Sequence, residues 1–282
     1  MSELYKNLRV IAGPEAAAKI KQNGLSADQI GAVFGASGAA KWLGICGLDQ
    51  AVFGKWLAKV EHEILLFGTS VGAFKLASAC RKDAHAGLQA LADAYIDQSY
   101  PDGAGADAID REFAKILDIV FGNGGAEEIL SHPTFRFSCG TGLLSGLMAS
   151  PSKALQYLGA ARAMATNGLG RNAHRGSMQR VVFSDPRAQF PIRAKDAYGD
   201  TQVALDTENI STAVKASGSI PIMMHPVRNI PGGPAGTYVD GGVVDYHPVP
   251  GWFWDREELI LYPHFYPHLK SGWFDKYYRR VA

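Results

Sequence analysis

Ser70 stands in Gly68-Thr69-Ser70-Val71-Gly72, a G-x-S-x-G spacing that can lift a serine hydroxyl out of a sharp strand-to-helix turn. In a chain this long and glycine-rich, about 0.2 such matches arise by chance, so the spacing alone decides little. Its context adds weight. Glu63 to Phe67 (EILLF) has the length of a buried strand, and an apolar helical pattern runs from about Ala73 to Arg81. With glycine on both sides, nothing crowds the turn, and the hydroxyl lies near the N-terminal end of the helix, where amides and dipole favour negative charge. The competing reading is a serine that only caps that helix.

A nucleophilic serine needs a base for its proton and donors for the oxyanion it creates. Ser37-Gly38-Ala39 offers donors: it follows the strand-like run Ile30 to Ala36 (IGAVFGA) and precedes a helical pattern from Trp42 to about Lys59. Its small side chains let amides approach a substrate, and Lys41 adds positive charge. A phosphate-cradling loop is the alternative, but Ala40 and Trp42 break the P-loop pattern and Ser37 breaks the Rossmann one. For the base, Tyr238-Val239-Asp240-Gly241-Gly242 ends a short strand in an aspartate that two permissive residues follow; an ordinary Asp-Gly turn is the plainer account. His247 and His264 come after Asp240 and could complete a Ser…Asp…His order. His264 and His268 have i, i+4 spacing, but Pro263 and Pro267 argue against a helical metal pair. Ser138, Ser145 and Ser184 lack a glycine elbow.

Taken together these residues resemble the patatin-like phospholipase family. Gly35 to Leu48 (GASGAAKWLGICGL) is similar to its glycine-rich oxyanion loop and helix, Gly68 to Gly72 to its nucleophile elbow, and Lys215 to Val249 to the segment that ends in Asp-Gly-Gly. The blocks cover about residues 30–250. The resemblance implies a single domain over 1–282, an α/β three-layer sandwich with a central, mainly parallel sheet and helices on both faces. It implies a Ser–Asp dyad with Ser70 as nucleophile and Asp240 as base, an oxyanion hole at Ser37, Gly38 and Ala39, and supporting positions at Lys41, Gly68, Gly72, Gly241 and Gly242. The activity it implies is hydrolysis of acyl esters in phospholipids or other lipids through an acyl-enzyme, with no metal and no organic cofactor. A lipid-binding or regulatory protein that kept the fold is the alternative. That alternative draws on a departure: Ser37 and Ala39 replace two glycines of the family's loop, and Trp42 replaces a third. Asp245 stands where relatives often carry asparagine, either tuning Asp240 or facing solvent.

The elements that must hold these residues follow from composition and pattern. Lys+Arg 28 against Asp+Glu 27 gives a net charge of +1, which argues against nucleic acid as partner. Cys46, Cys80 and Cys139 have no C-x-x-C spacing and suit a reducing compartment. No signal core and no apolar run of about 18 residues appear, so a soluble cytoplasmic chain is expected, with peripheral membrane contact left open. Helices are expected over Pro14 to Lys21 and Thr207 to Ser217, and through Asp83 to Leu130, which could also serve as a lid. Strands are expected over Thr134 to Cys139, Arg180 to Ser184, Gly236 to Val239 and Glu258 to Tyr262. Strand–helix alternation indicates an α/β fold with a parallel core. Residues 251–282 form an aromatic-rich extension, including Trp252, Tyr262, Phe265, Tyr266, Trp273, Phe274 and Tyr278. Packing over the sheet is the favoured account of it, docking at a lipid interface the other. Arg171, His174, Arg175 and Arg180 read as a solvated basic loop.

Overall fold

The computed structural model describes residues 8–170, 176–188, 191, 198–199, 201–249 and 256–277. Its strands are β1 (Ile30–Gly35), β2 (Ile64–Gly68), β3 (Phe135–Leu144), β4 (Met178–Ser184), β5 (Thr201–Ala204), β6 (Val227–Arg228), β7 (Thr237–Asp240) and β8 (Leu259–Leu261). They form one sheet in the order β5-β4-β3-β2-β1-β8, with β7 bridging β3 and β6. The pairs β8–β1, β1–β2, β2–β3 and β4–β5 are parallel. β3 runs antiparallel to β4 and β7, and β6 to β7. The parallel core inferred from sequence is therefore the centre of a mainly parallel, mixed sheet with helices around it.

Unbroken apolar strands mark a sheet covered on both faces. In β2, Ile64 and Leu66 join the main core, whereas Leu65 and Phe67 point to a smaller cluster with Ala32, Phe34 and Val182. The main core is filled from α3 (Val71–Ala79), α4 (Ala84–Ile96), α5 (Ala106–Phe121), α6 (Gly125–Ser131) and α8 (Ile210–Ser217), through residues such as Phe74, Leu88, Ile116, Ile129 and Val214. The segment considered as a lid is thus a packed layer of the core. Half-buried Ala16 and Ile20 of α1 (Pro14–Asn23) rest against the same core.

Instead of one helix over Trp42 to Lys59, the chain winds as a 3-10 stretch (Ala39–Ile45), then α2 (Cys46–Ala51), then a π turn (Val52–Trp56). Three glycines (Gly44, Gly47, Gly54) weaken a regular helix there, and a buried polar knot fixes the irregular path. Asp49 accepts from Trp42 Nε1 at 2.7 Å and pairs with Lys75 Nζ at 2.9 Å, all three side chains being buried. α7 (Lys153–Asn167), β5 and β6 were not foreseen. α7 leaves Leu155, Tyr157, Leu158 and Met164 exposed, so its apolar residues trace no single face; the two strands are too short to show a period. Arg171, His174, Arg175, Trp252 to Trp254, Tyr278, Arg279 and Arg280 lie outside the described residues. Among the described residues no helix is long and apolar enough to cross a membrane.

Candidate active site

β3 is the template on which the site is assembled. β2 runs along it in parallel and ends with Gly68 opposite Cys139. β7 runs along the same strand in the opposite direction and ends with Asp240 opposite Thr141. Two chain ends therefore meet head to head across Gly140, a gap of about 7 Å along a strand. Side chains at Ser70 and Asp240 can close that gap. A Cβ on Gly140 would stand 2.9 Å from Thr69 Cγ2, and one on Gly241 would overlap the Gly140 carbonyl, so both glycines are needed for the approach.

Ser70 occupies φ +53°, ψ −133°, a region a non-glycine residue enters only under external constraint. Ser217 supplies part of that constraint. Its carbonyl oxygen and its Oγ both lie 3.0 Å from the Ser70 amide, and its Oγ donates to Gly140 O at 2.7 Å. The turn is closed by Gly72 N donating to Thr69 O at 2.9 Å. A Cβ on Gly68 would come within 2.5 Å of the Gly72 carbonyl carbon. The Ser70 side chain does not cap α3. It donates instead to Asp240 Oδ2 at 2.8 Å, while the residue remains partly exposed at the N-terminal end of that helix.

Asp240 is 6% exposed. Its Oδ1 accepts the Gly242 amide at 2.6 Å and its own amide donates to Ser219 O at 2.8 Å, so the carboxylate is oriented from both sides with Oδ2 turned to Ser70. The Asp240 charge reaches two phenols. Burial, reinforced by Tyr266 and Asp240, pushes Tyr246 up to about 12; burial and Asp240 push Tyr95 up as well. Both are neutral at ordinary pH.

The loop after β1 lies beside the elbow. Ser37 Oγ is 2.8 Å from Thr69 Oγ1 and donates to Thr69 O at 3.2 Å, and Thr69 Oγ1 donates to Asp245 O at 2.7 Å. The Ser37 amide donates to Tyr246 O at 2.9 Å, which takes it out of the donors open to a substrate. Ser37 thus enters through its side chain, as a tie between loop and elbow, rather than through its amide. Among the described residues, the amides of Gly38 and Ala39 meet no acceptor. Ala39 sits at φ +50°, and Lys41 is exposed.

Other candidates are placed differently from expectation. Asp245 does not face solvent, and Arg180 is no solvated loop residue. On β4, Arg180 Nε donates to Asp245 Oδ2 at 2.6 Å and Nη2 to Oδ1 at 2.9 Å, with both side chains buried. The pair braces the turn after Asp240, since Asp245 N donates to Gly241 O at 2.8 Å. His247 is buried too, its Nδ1 accepting from Lys270 N at 2.8 Å; the proton of Ser70 points to Asp240 rather than to a histidine. Among the described residues no group of three or more His, Cys, Asp or Glu side chains is placed to hold a metal ion. Thr69, Ser217, Tyr95 and Tyr246 were missed from sequence. Ser217 lay inside the Lys215 to Val249 block, but nothing in its spacing signalled a bond to the elbow.

Of the described aromatics in the C-terminal extension, Phe274 is buried, Tyr262 and Phe265 are half-buried and Tyr266 is exposed. A family model described as patatin-like phospholipase matches residues 65–251. The match covers well over half of the chain and includes the elbow, Ser217 and Asp240 to Gly242; it begins after the loop that holds Ser37 to Lys41. No curated protein and no solved structure matches the chain.

Proposed function

The chain belongs to the patatin-like phospholipase family, and we propose that it is a serine acyl hydrolase that cleaves carboxylic ester bonds of phospholipids or other acyl lipids through Ser70 and Asp240. The observation that carries this reading is the 2.8 Å bond from Ser70 Oγ to Asp240 Oδ2, made by a serine held at φ +53°. In this scheme Asp240 Oδ2 takes the Ser70 proton as Oγ attacks the ester carbonyl. Oδ1 stays bound to the Gly242 amide, so the carboxylate keeps its direction while its charge is neutralised. The oxyanion of the tetrahedral intermediate is received by the Gly38 and Ala39 amides, and the N-terminal end of α3 adds a favourable field. On collapse the leaving alcohol takes the proton from Asp240, leaving an acyl-Ser70. Water, deprotonated by the same carboxylate, then releases the fatty acid and restores the serine hydroxyl.

The test is turnover of a short-chain nitrophenyl ester by the full chain and by Ser70→Ala and Asp240→Asn. Each substitution is expected to lower kcat by about 10³-fold or more, with an unchanged circular dichroism spectrum. A folded variant that keeps near wild-type turnover would sink the dyad.

A further inference from the structure

The family match ends at residue 251, yet the chain returns to the site after it. β8 pairs in parallel with the outer edge of β1. Because parallel strands end at the same edge of a sheet, the segment after β8 emerges beside the loop after β1. It is tied there by Tyr246 N donating to Ser271 O at 2.9 Å, His247 N donating to Lys270 O at 2.9 Å, and Lys270 N donating to His247 Nδ1 at 2.8 Å. Tyr246 also accepts the Ser37 amide through its carbonyl. One residue thus joins the C-terminal segment to the oxyanion loop.

Within that segment the ring of Phe265 lies on Gly38. A Cβ on Gly38 would overlap Phe265 Cζ and stand 2.9 Å from Cε2. While the ring is in place, a side chain at Gly38 has no room. Phe265 is in turn held by His264, stacked on it at 5.2 Å, and by Tyr266 at 5.2 Å. His264 Nδ1 accepts the Tyr266 amide at 3.0 Å. Such a hold favours the observed loop, because a left-handed alanine at 39 costs on the order of 1 kcal/mol.

We propose that Tyr262 to Ser271 is a working part of the acyl-transfer site, with Phe265 as a positioning residue that presses on Gly38 and keeps the Gly38 and Ala39 amides aimed at the oxyanion. This rests on the Ser70–Asp240 reading given above. The segment lies after the residues that the family model matches.

Four variants of the full chain test it on a nitrophenyl ester: Phe265→Ala, Phe265→Leu, Gly38→Ala, and Gly38→Ala combined with Phe265→Ala. Phe265→Ala is expected to lower kcat by about 10²-fold, the scale of losing an oxyanion donor, with KM within about twofold of wild type. Phe265→Leu, which keeps apolar bulk over Gly38, recovers most of kcat. Gly38→Ala is expected to be nearly inactive, and adding Phe265→Ala to it raises kcat by at least about tenfold by removing the overlap. Wild-type kcat in Phe265→Ala, a loss confined to KM, or a double variant no better than Gly38→Ala would overturn the proposal. A wild-type chain that turns over no ester would instead sink the underlying dyad reading.

Discussion

A Cβ on Gly35 would stand 2.7 Å from the carbonyl oxygen of Gly72, and one on Gly72 would overlap the Gly35 carbonyl. The end of β1 and the first turn of α3 thus touch backbone to backbone, and this contact sets the loop after β1 against Ser70. Gly72→Ala is expected to destabilise the fold by about 3 kcal/mol, the upper range for forcing a methyl into packed space, and to abolish ester turnover. Gly44→Ala, where nothing lies within 4 Å of the added carbon, serves as the control and should do neither. Urea midpoints and initial rates on the two variants check the point.

The Arg180–Asp245 pair is predicted to matter through its rupture rather than through its presence. Leaving one buried charge without its partner costs about 3–5 kcal/mol, whereas replacing both by apolar groups of similar size is often neutral. Asp245→Ala should therefore unfold at markedly lower denaturant than wild type. Arg180→Met combined with Asp245→Leu should regain at least half of the loss. A double variant as unstable as the single one would contradict this account of the turn after Asp240.

The meeting of Ser70 and Asp240 was legible because each is framed by glycines that the approach to Gly140 requires, and glycine is visible in a sequence. The strands that deliver them were legible as short apolar runs. What orients them was not. Ser217, Thr69 and Gly140 act through hydrogen bonds and backbone proximity between segments far apart in the chain, and no local pattern encodes such pairs. Arg180 looked solvated because cationic runs usually are; its partner at Asp245 is what permits burial. Phe265 was one aromatic among ten in the extension, and only the contact of its ring with Gly38 distinguishes it. The Trp42 to Lys59 stretch read as one helix because its apolar spacing is helical, while the Trp42–Asp49–Lys75 knot that breaks it is a tertiary feature.

His132 predicts a specific acid sensitivity. Its Nδ1 accepts the amides of Thr134 at 3.2 Å and Phe135 at 2.9 Å, at the start of β3. Burial first, then the Arg136 and Arg187 cations, lower its pKa from 6.5 to about 4. The unfolded chain, with the ordinary value, binds more protons in that window than the folded one, so stability rises with pH across it. The contribution is complete above 6.5 and is lost as pH falls from 6.5 towards about 4. His132→Asn, which can offer an oxygen to the same amides without titrating, should flatten that part of the profile. Urea midpoints at about pH 7 and about pH 4.5 should differ less in the variant than in wild type; equal differences would refute the assignment.

The central claim is that Ser70 is a reactive nucleophile activated by Asp240. The direct measurement is covalent labelling by a serine-directed fluorophosphonate, with the modified residue located by peptide mass spectrometry. The account predicts one equivalent of label on Ser70 in the wild-type chain, none in Ser70→Ala, and labelling slowed by about 10²-fold or more in folded Asp240→Asn. Well-folded wild-type protein that takes up no label, or takes it at another residue, would contradict it and favour a lipid-binding protein built on the same fold.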